Sequence, residues 1–205
     1  MMTSRMFTIA AGTFAGLLIS GLAGTAADSI GVRGTVARLD GSTLTIDTRE
    51  GKPADVKLAD GWKISGIDKA SIGDIKVGDF VGVASAPTAD GSDGALEVLI
   101  FPAAMKGAGE GSRPWDLTPN SSMTNGTVAD QVTGVDGPTL TVTYNNGQEK
   151  KFAIPAGTPV VTIATAVPED LKPGAAIFLR AERAPDGNLT SSRVVVGNHG
   201  VAPPM

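Results

Sequence analysis

The chain contains two copies of one sequence pattern. Residues 40–46 (DGSTLTI) match residues 136–142 (DGPTLTV) at an offset of 96 residues, and the same offset relates the Asp-Gly pair at 90–91 to the pair at 186–187. Chance matches would not keep one offset over about fifty residues, so this indicates a duplicated unit. Two copies are too few for a solenoid or a propeller.

The two copies differ slightly in length. The Gly-Thr-Val runs at 34–36 and 126–128 match at an offset of only 92. The second copy therefore has about four extra residues, which the comparison places near residues 131–134.

Apolar and polar residues alternate within each copy. Leu44 and Ile46 alternate with polar residues in the first copy, as Leu140 and Val142 do in the second. A period of two predicts strands with one buried face, and no segment has a helical apolar period longer than one turn. We therefore expect an all-β protein of two tandem small antiparallel barrels, OB-like or SH3-like, each with five or six short strands.

The expected barrels span residues 30–101 and 125–197 and share one order of elements. Two paired strands precede a short third strand, a turn of helix near residues 70–75 or 168–171, and a closing hairpin. Tight turns are predicted at four Asp-Gly pairs, because Gly and Asp tolerate positive φ. These pairs begin at positions 40, 90, 136 and 186.

The first 27 residues are typical of a signal peptide. Arg5 is their only charged residue, residues 7–22 are apolar, and small residues lead to an expected cleavage after Ala27. No later stretch is long and apolar enough to span a membrane. We therefore expect a periplasmic or secreted protein, with residues 198–205 as its C-terminal tail.

The segment at residues 102–124 is expected to be an irregular linker, rich in Gly and Pro, between the barrels. It contains Arg113-Pro-Trp115-Asp116, and a Trp in a loop usually docks against other residues. In one interpretation Trp115 pins the linker across the interface between barrels, with Arg113 stacked nearby. In the other, Arg113, Trp115 and Asp116 line a groove that binds a ligand or a partner.

The composition disfavours catalysis. The chain has no Cys and one His, so thiolate metal sites and cysteine nucleophiles are excluded, and His199 in the tail is a poor candidate for a triad. Its net charge of −4 and aromatic content of 4% disfavour nucleic-acid binding. We predict no enzymatic activity and no cofactor.

Metal binding is the weaker alternative. Met105 and Met123 both lie in the linker, and thioether ligands suit Cu(I). Methionine more often fills gaps in packing, and the acidic residues at 90 and 93 do not have the spacing of an EF-hand loop. These two methionines are the only candidate metal ligands that the sequence offers.

The linker and the ending of the chain contain a characteristic set of residues. They are Phe101-Pro102, Met105, Gly107, Gly109-Glu110-Gly111, Arg113-Pro114-Trp115-Asp116-Leu117, Pro119-Asn120-Ser121, Met123-Thr124-Asn125 and Pro203-Pro204-Met205. With these residues the whole chain resembles a two-copy alphaproteobacterial family often labelled as a metal ABC transporter permease, and each copy is similar to the DUF5666-type domain, an OB-like module of exported bacterial proteins. The resemblance implies the fold and the location but no activity.

The sequence thus favours a non-catalytic binding or interaction module of the cell envelope. Its partner would be a protein, a glycan or a small molecule, and not nucleic acid. The alternative is a periplasmic metal-handling protein that uses the linker methionines and carboxylates.

Overall fold

A computed structural model describes residues 28–134 and 137–203, so the expected signal peptide at residues 1–27 lies outside the described part of the chain. The described residues form an all-β structure without an α-helix, as the alternating pattern predicts. The strands are β1 (Asp28–Asp40), β2 (Thr43–Thr48), β3 (Pro53–Ala70), β4 (Phe80–Pro87), β5 (Asp93–Ile100), β6 (Gly111–Pro114), β7 (Ser122–Gly134), β8 (Gly137–Tyr144), β9 (Gln148–Ala153), β10 (Val160–Ala164), β11 (Ala176–Arg183) and β12 (Leu189–Gly197).

Short 3-10 turns connect several strands. Two of them, Ile72–Asp74 and Pro168–Asp170, fall where the sequence predicted a turn of helix in each copy. Two more lie at Ala103–Met105 and Asn198–Gly200. Within residues 28–134 and 137–203, no helix is long and apolar enough to cross a membrane.

Five strands close into a barrel around the first core. β1 pairs with β2 and β11, β2 pairs with β3, and β12 joins β11 to β3, the last pairing being parallel. The inward-facing side chains are almost fully buried, as expected for a small barrel that is filled by side chains. This core contains Val32, Val36, Leu44, Ile46, Val56, Leu58, Leu171, Ile177, Leu179, Ala181, Val194 and Val196.

A second circuit of five strands surrounds another core. β7 pairs with β4 and β8, β8 with β9, and β4 with β5, and a short parallel contact of β5 with β9 completes the circuit. Its core contains Ile75, Val81, Val83, Ala95, Val98, Val128, Leu140, Val142, Phe152, Ile154 and Val160.

Each circuit takes strands from both sequence copies. The first barrel combines β1, β2 and β3 of the first copy with the hairpin β11–β12 of the second copy. The second circuit combines β7, β8 and β9 with the hairpin β4–β5 of the first copy. The expected arrangement of one barrel per copy, spanning residues 30–101 and 125–197, is therefore not confirmed, because the copies exchange their C-terminal hairpins.

The register of the strands obeys the sequence offset. β3 and β10 are antiparallel, and Ile67 lies opposite Ile163, its own counterpart at an offset of 96. An approximate two-fold axis must pass through this residue pair. The same axis relates one parallel residue pair to another, because their residues match at the offset of 96. Val98 lies opposite Val160, and Val194 lies opposite Ile64.

The two copies differ in the length of the third strand and in the length of the first hairpin. β3 is 18 residues long rather than short as expected, because it pairs with β2, β12 and β10 in succession. The equivalent stretch of the second copy is divided into β9 and β10, and Pro155 and Pro159 lie in the break. The extra residues of the second copy lengthen the β7–β8 hairpin, by the pairs of Thr133 with Pro138 and Gly134 with Gly137.

The expected linker at residues 102–124 is more ordered than its composition suggests. It contains the 3-10 turn Ala103–Met105 and the strand β6, which pairs with β7 from Gly111 opposite Asn125 to Pro114 opposite Ser122. β6 escapes prediction from sequence because four residues are too few to show an apolar period.

A close backbone approach explains the repeated glycine of the Gly-Thr-Val runs. A Cβ atom on Gly34 would lie 2.2 Å from the carbonyl oxygen of Asp47, and one on Gly126 would lie 2.5 Å from that of Thr143. Backbone atoms of a paired strand cannot move aside cheaply. Both positions therefore require glycine, where β1 and β7 cross closely over their hairpin partners.

The variant Gly34→Ala should lose about 1–3 kcal/mol of unfolding free energy, because the added methyl overlaps the β2 backbone. Gly73→Ala is the control, since its new Cβ would meet its nearest neighbour at 3.8 Å and should change stability by about 0.5 kcal/mol or less. Urea unfolding measures both values, and equal stabilities would contradict the close approach.

The exchange of hairpins predicts that the chain survives a cut between the copies. A protease site inserted after Gly107, in an exposed turn, allows the cut. The two pieces should stay in one complex on gel filtration, and its melting temperature should rise with protein concentration, because each circuit needs strands from both pieces. The uncut insertion variant is the control. Two separate folded pieces would contradict the exchange.

Candidate functional site

A cavity of about 400 Å³ lies where the two circuits meet. Strands of both circuits, the segment around β6 and the 3-10 turn Ala103–Met105 contribute to its walls. A cavity of this volume suits a small organic molecule. Its lining comprises Ser29, Ser65, Ile67, Leu99, Phe101, Met105, Arg113, Trp115, Met123, Asn125, Ile163, Phe178, Leu179, Arg180, Glu182, Ser192, Arg193 and Val195.

The floor of the cavity is apolar and approximately symmetric. Ile67 and Ile163, which face each other across the two-fold axis, both contribute to it, as do Leu99 and its counterpart Val195. These residues belong to a third hydrophobic cluster, which also contains Phe178. The floor is therefore a direct product of the duplication.

Trp115 forms part of the wall and is held by three side chains. Its ring centroid lies 6.3 Å from that of Phe178, and the guanidinium carbons of Arg113 and Arg180 lie 5.7 Å and 5.1 Å from it. Cation–π attraction therefore fixes both arginines beside the cavity. The indole Nε1 is buried and has no hydrogen-bond acceptor among the described residues.

Asp116 fastens this segment to the first barrel. One carboxylate oxygen accepts a hydrogen bond of 2.7 Å from Arg33, and the other accepts one of 3.1 Å from the backbone N–H of Gly31. Burial alone would raise the pKa of Asp116, but the hydrogen bond and charge of Arg33, the Gly31 N–H and the charge of Arg180 outweigh it, and the pKa is lowered. Asp116 therefore stays ionised and anchors Trp115.

Backbone contacts complete the anchor. The guanidinium of Arg49 donates to the carbonyl oxygens of Asp116 and Leu117 at 3.3 and 3.4 Å. The backbone N–H of Trp115 donates a hydrogen bond to the carbonyl oxygen of Ser121. The Ser121 hydroxyl in turn donates one to the carbonyl oxygen of Trp115. The segment carrying Trp115 is thus tied both to the first barrel and to itself.

The structure places the predicted residues in two different roles. Arg113 and Trp115 line the cavity, whereas Asp116 serves as the anchor behind it. Met105 and Met123, near the two ends of the expected linker, both line the same cavity. The sequence analysis treated the two methionines and the pair of Arg113 and Trp115 as alternative sites, whereas the structure places all four around one cavity.

Sequence reasoning missed Phe178, Arg180 and Arg193. All three lie in the hairpin β11–β12, which the expected tandem arrangement assigned to the far barrel. A signal was present, because the offset of 96 aligns these residues with Gly82, Ala84 and Glu97 respectively. Residues that differ so much in size or charge between the copies indicate positions where the shared fold does not require one residue type.

Glu97 is a buried carboxyl at the junction of the circuits. It lies two residues before Leu99 on β5, so its side chain leaves the strand on the same face. Neither carboxyl oxygen has a hydrogen-bond partner within the described part of the chain. Burial raises the pKa of Glu97 to about 8, although the nearby charge of Arg33 opposes the rise. Glu97 is therefore mainly protonated at neutral pH.

Metal-binding groups do not gather in this site. Among the described residues there is no set of three or more His, Asp or Glu side chains placed to hold an ion. His199 lies outside the cavity, exposed in the turn Asn198–Gly200 with φ of 50°. The thioethers of Met105 and Met123 remain the metal ligands to consider.

Comparison of the chain with protein-family models, with curated proteins and with solved structures finds no match. The geometry of the cavity therefore carries the functional interpretation.

Glu97 predicts a pH dependence of stability. Its raised pKa means that the native state holds a proton which the unfolded chain releases above about pH 4.5, so the unfolding free energy falls as the pH rises from about 4.5 to about 8. Glu97→Gln keeps the shape without this proton. The variant should gain stability relative to the wild type as the pH rises from 4.5 to 8.

Urea unfolding at pH 4.5 and pH 8 measures this difference. Glu149→Gln, at an exposed position on β9, is the matched control and should show no such change. A stability difference between wild type and Glu97→Gln that does not depend on pH would show that Glu97 titrates normally.

Proposed function

We propose that this protein is a non-catalytic binding module of the cell envelope, and that its binding site is the cavity at the junction of the two circuits. The signal-peptide pattern of residues 1–27 supports the location. The fold serves as a rigid frame, because both circuits close around packed cores. Loops and irregular segments on such a frame commonly carry binding residues.

The observation that carries this proposal is the position of Trp115. Trp115 packs against the third hydrophobic cluster, but it stays half-buried in the wall of the cavity, and its Nε1 has no hydrogen-bond partner among the described residues. A buried donor without a partner costs about 1–3 kcal/mol. Asp116 anchors the segment that carries Trp115, and the anchored indole serves as a recognition surface for a ligand in the cavity.

Metal handling is the second candidate, and one observation favours it. Met105 and Met123 are separated by 17 residues in sequence but line the same cavity. Two thioethers suit Cu(I), although a metal site needs further ligands. The same experiment separates the two candidates.

The variant Trp62→Phe makes the proposal testable, because it leaves Trp115 as the only tryptophan of the described chain. Trp62 packs against the first barrel core and does not line the cavity. The Trp115 fluorescence is titrated with organic anions, neutral organic molecules, oligosaccharides, Cu(I) and divalent cations. We expect a saturable change with an organic ligand, because a ligand in the cavity alters the surroundings of the indole.

Trp115→Phe, which keeps Trp62, is the matched control and should give no saturable signal with the same ligand. A response to Cu(I) alone that disappears in Met105→Leu combined with Met123→Leu would favour metal handling. A flat response to every class would refute the cavity as a small-molecule site.

A further inference from the structure

The charges around the cavity are unbalanced. Three guanidinium groups, those of Arg113, Arg180 and Arg193, line it, and Glu182 is the single carboxylate in the lining. The whole chain is acidic, with a net charge of −4, so this local excess of positive charge is not a consequence of composition. A surface of this kind attracts anions.

The nearby carboxylate of Asp116 pairs closely with Arg33 and only distantly with Arg180. It accepts its short hydrogen bond of 2.7 Å from Arg33, whereas Arg180 approaches it only to 3.9 Å. Within residues 28–134 and 137–203, neither Arg113 nor Arg193 forms a salt bridge. Burial, and secondarily the charge of Arg180, lowers the pKa of Arg113, so the two guanidinium groups lie close enough to repel each other.

The duplication shows that the fold does not need these cations. At an offset of 96, Arg180 corresponds to Ala84 and Arg193 corresponds to Glu97, and β4 and β5 form their part of the second circuit without a cation at either place. The floor, in contrast, is conserved between the copies as Ile67 with Ile163 and Leu99 with Val195. The second copy thus carries two arginines beside the shared apolar floor at positions where the first copy has none.

We propose that the cavity binds a small amphipathic anion, an organic molecule with one carboxylate or similar oxyanion on an apolar body. The inference rests on the proposed binding function and names its ligand class. The apolar body lies against Ile67, Ile163 and Phe178. The oxyanion accepts charge-assisted hydrogen bonds from Arg113 and Arg193, which are stronger than bonds between neutral groups. Trp115 holds Arg113 and Arg180 in place.

A matched pair of probes tests the ligand class. 1-Anilinonaphthalene-8-sulfonate is an amphipathic anion, and N-phenyl-1-naphthylamine has the same aromatic body without the sulfonate. Each is titrated into Trp62→Phe, with quenching of Trp115 reporting occupation of the cavity. We expect one molecule of the anion to bind per chain, about tenfold or more tighter than the neutral probe, and more weakly as salt is raised.

Variants locate the charge that is responsible. Arg113→Gln and Arg193→Gln, each in the Trp62→Phe background, should weaken binding of the anion about tenfold more than binding of the neutral probe. Arg183→Gln is the control, since this exposed arginine lies on β11 outside the cavity. Arg193 is exposed on β12, so its variant keeps the test valid if Arg113→Gln folds poorly.

The outcomes separate this inference from the proposed function. If both probes quench Trp115 with equal affinity and the arginine variants have no effect, the cavity binds ligands but the preference for anions is wrong. If neither probe quenches Trp115, the ligand class and the cavity as a small-molecule site are both refuted. Displacement of the bound anion by octanoate but not by octanol would extend the result to carboxylates.

Discussion

The pairing of β3 with β10 is the contact on which the rest of this structure depends. It joins one circuit to the other in an antiparallel register, with Ile67 opposite Ile163. Antiparallel pairing of two equivalent segments generates a two-fold relation by its geometry alone. Once that register is set, each C-terminal hairpin reaches the circuit of the other copy, by the parallel pairings of β5 with β10 and of β12 with β3. The third apolar cluster, and therefore the cavity floor, lies over this junction.

The segment between the copies makes the two-fold frame asymmetric. It exists once, so it can dock on only one side of the axis, where Asp116 meets Arg33 and Trp115 meets Phe178. Small residues make room for it. A Cβ atom on Gly31 would lie 2.6 Å from an Asp116 carboxylate oxygen, and one on Gly82 would lie 2.9 Å from the Asn125 side chain. The duplicated strands form the two-fold frame, and the segment between the copies completes the wall of the candidate site at the junction of the two circuits.

The sequence predicted the elements better than their partners. Alternation, the Asp-Gly turns and the repeat offset give the all-β class, the hairpins and the 3-10 turns, because these depend on residues near one another in the chain. The exchange of hairpins escaped, because β4–β5 and β11–β12 occupy equivalent places in the repeat, and a local pattern does not say which hairpin pairs with β1 and β3.

The candidate site was predictable to the same limited extent. Arg113 and Trp115 stand out because Trp is rare in an irregular segment, but Arg180 and Arg193 are distant in sequence and reach the site only through the exchange. Their departure from Ala84 and Glu97 was visible in the aligned copies. Without the exchanged topology, that departure could not be assigned to the same place as Trp115.

Unpaired buried polar groups concentrate at this junction. Trp115 Nε1 and Asn125 Oδ1 both belong to cavity-lining residues, and Glu97 lies on the strand that supplies Leu99 to the floor. Each unpaired group costs about 1–3 kcal/mol, which is a large share of the 5–15 kcal/mol that stabilises a typical domain. The cores of the first barrel and of the second circuit are apolar and can offset that cost. A junction filled with apolar side chains would avoid this cost, and a ligand bound as proposed would give these polar groups a partner.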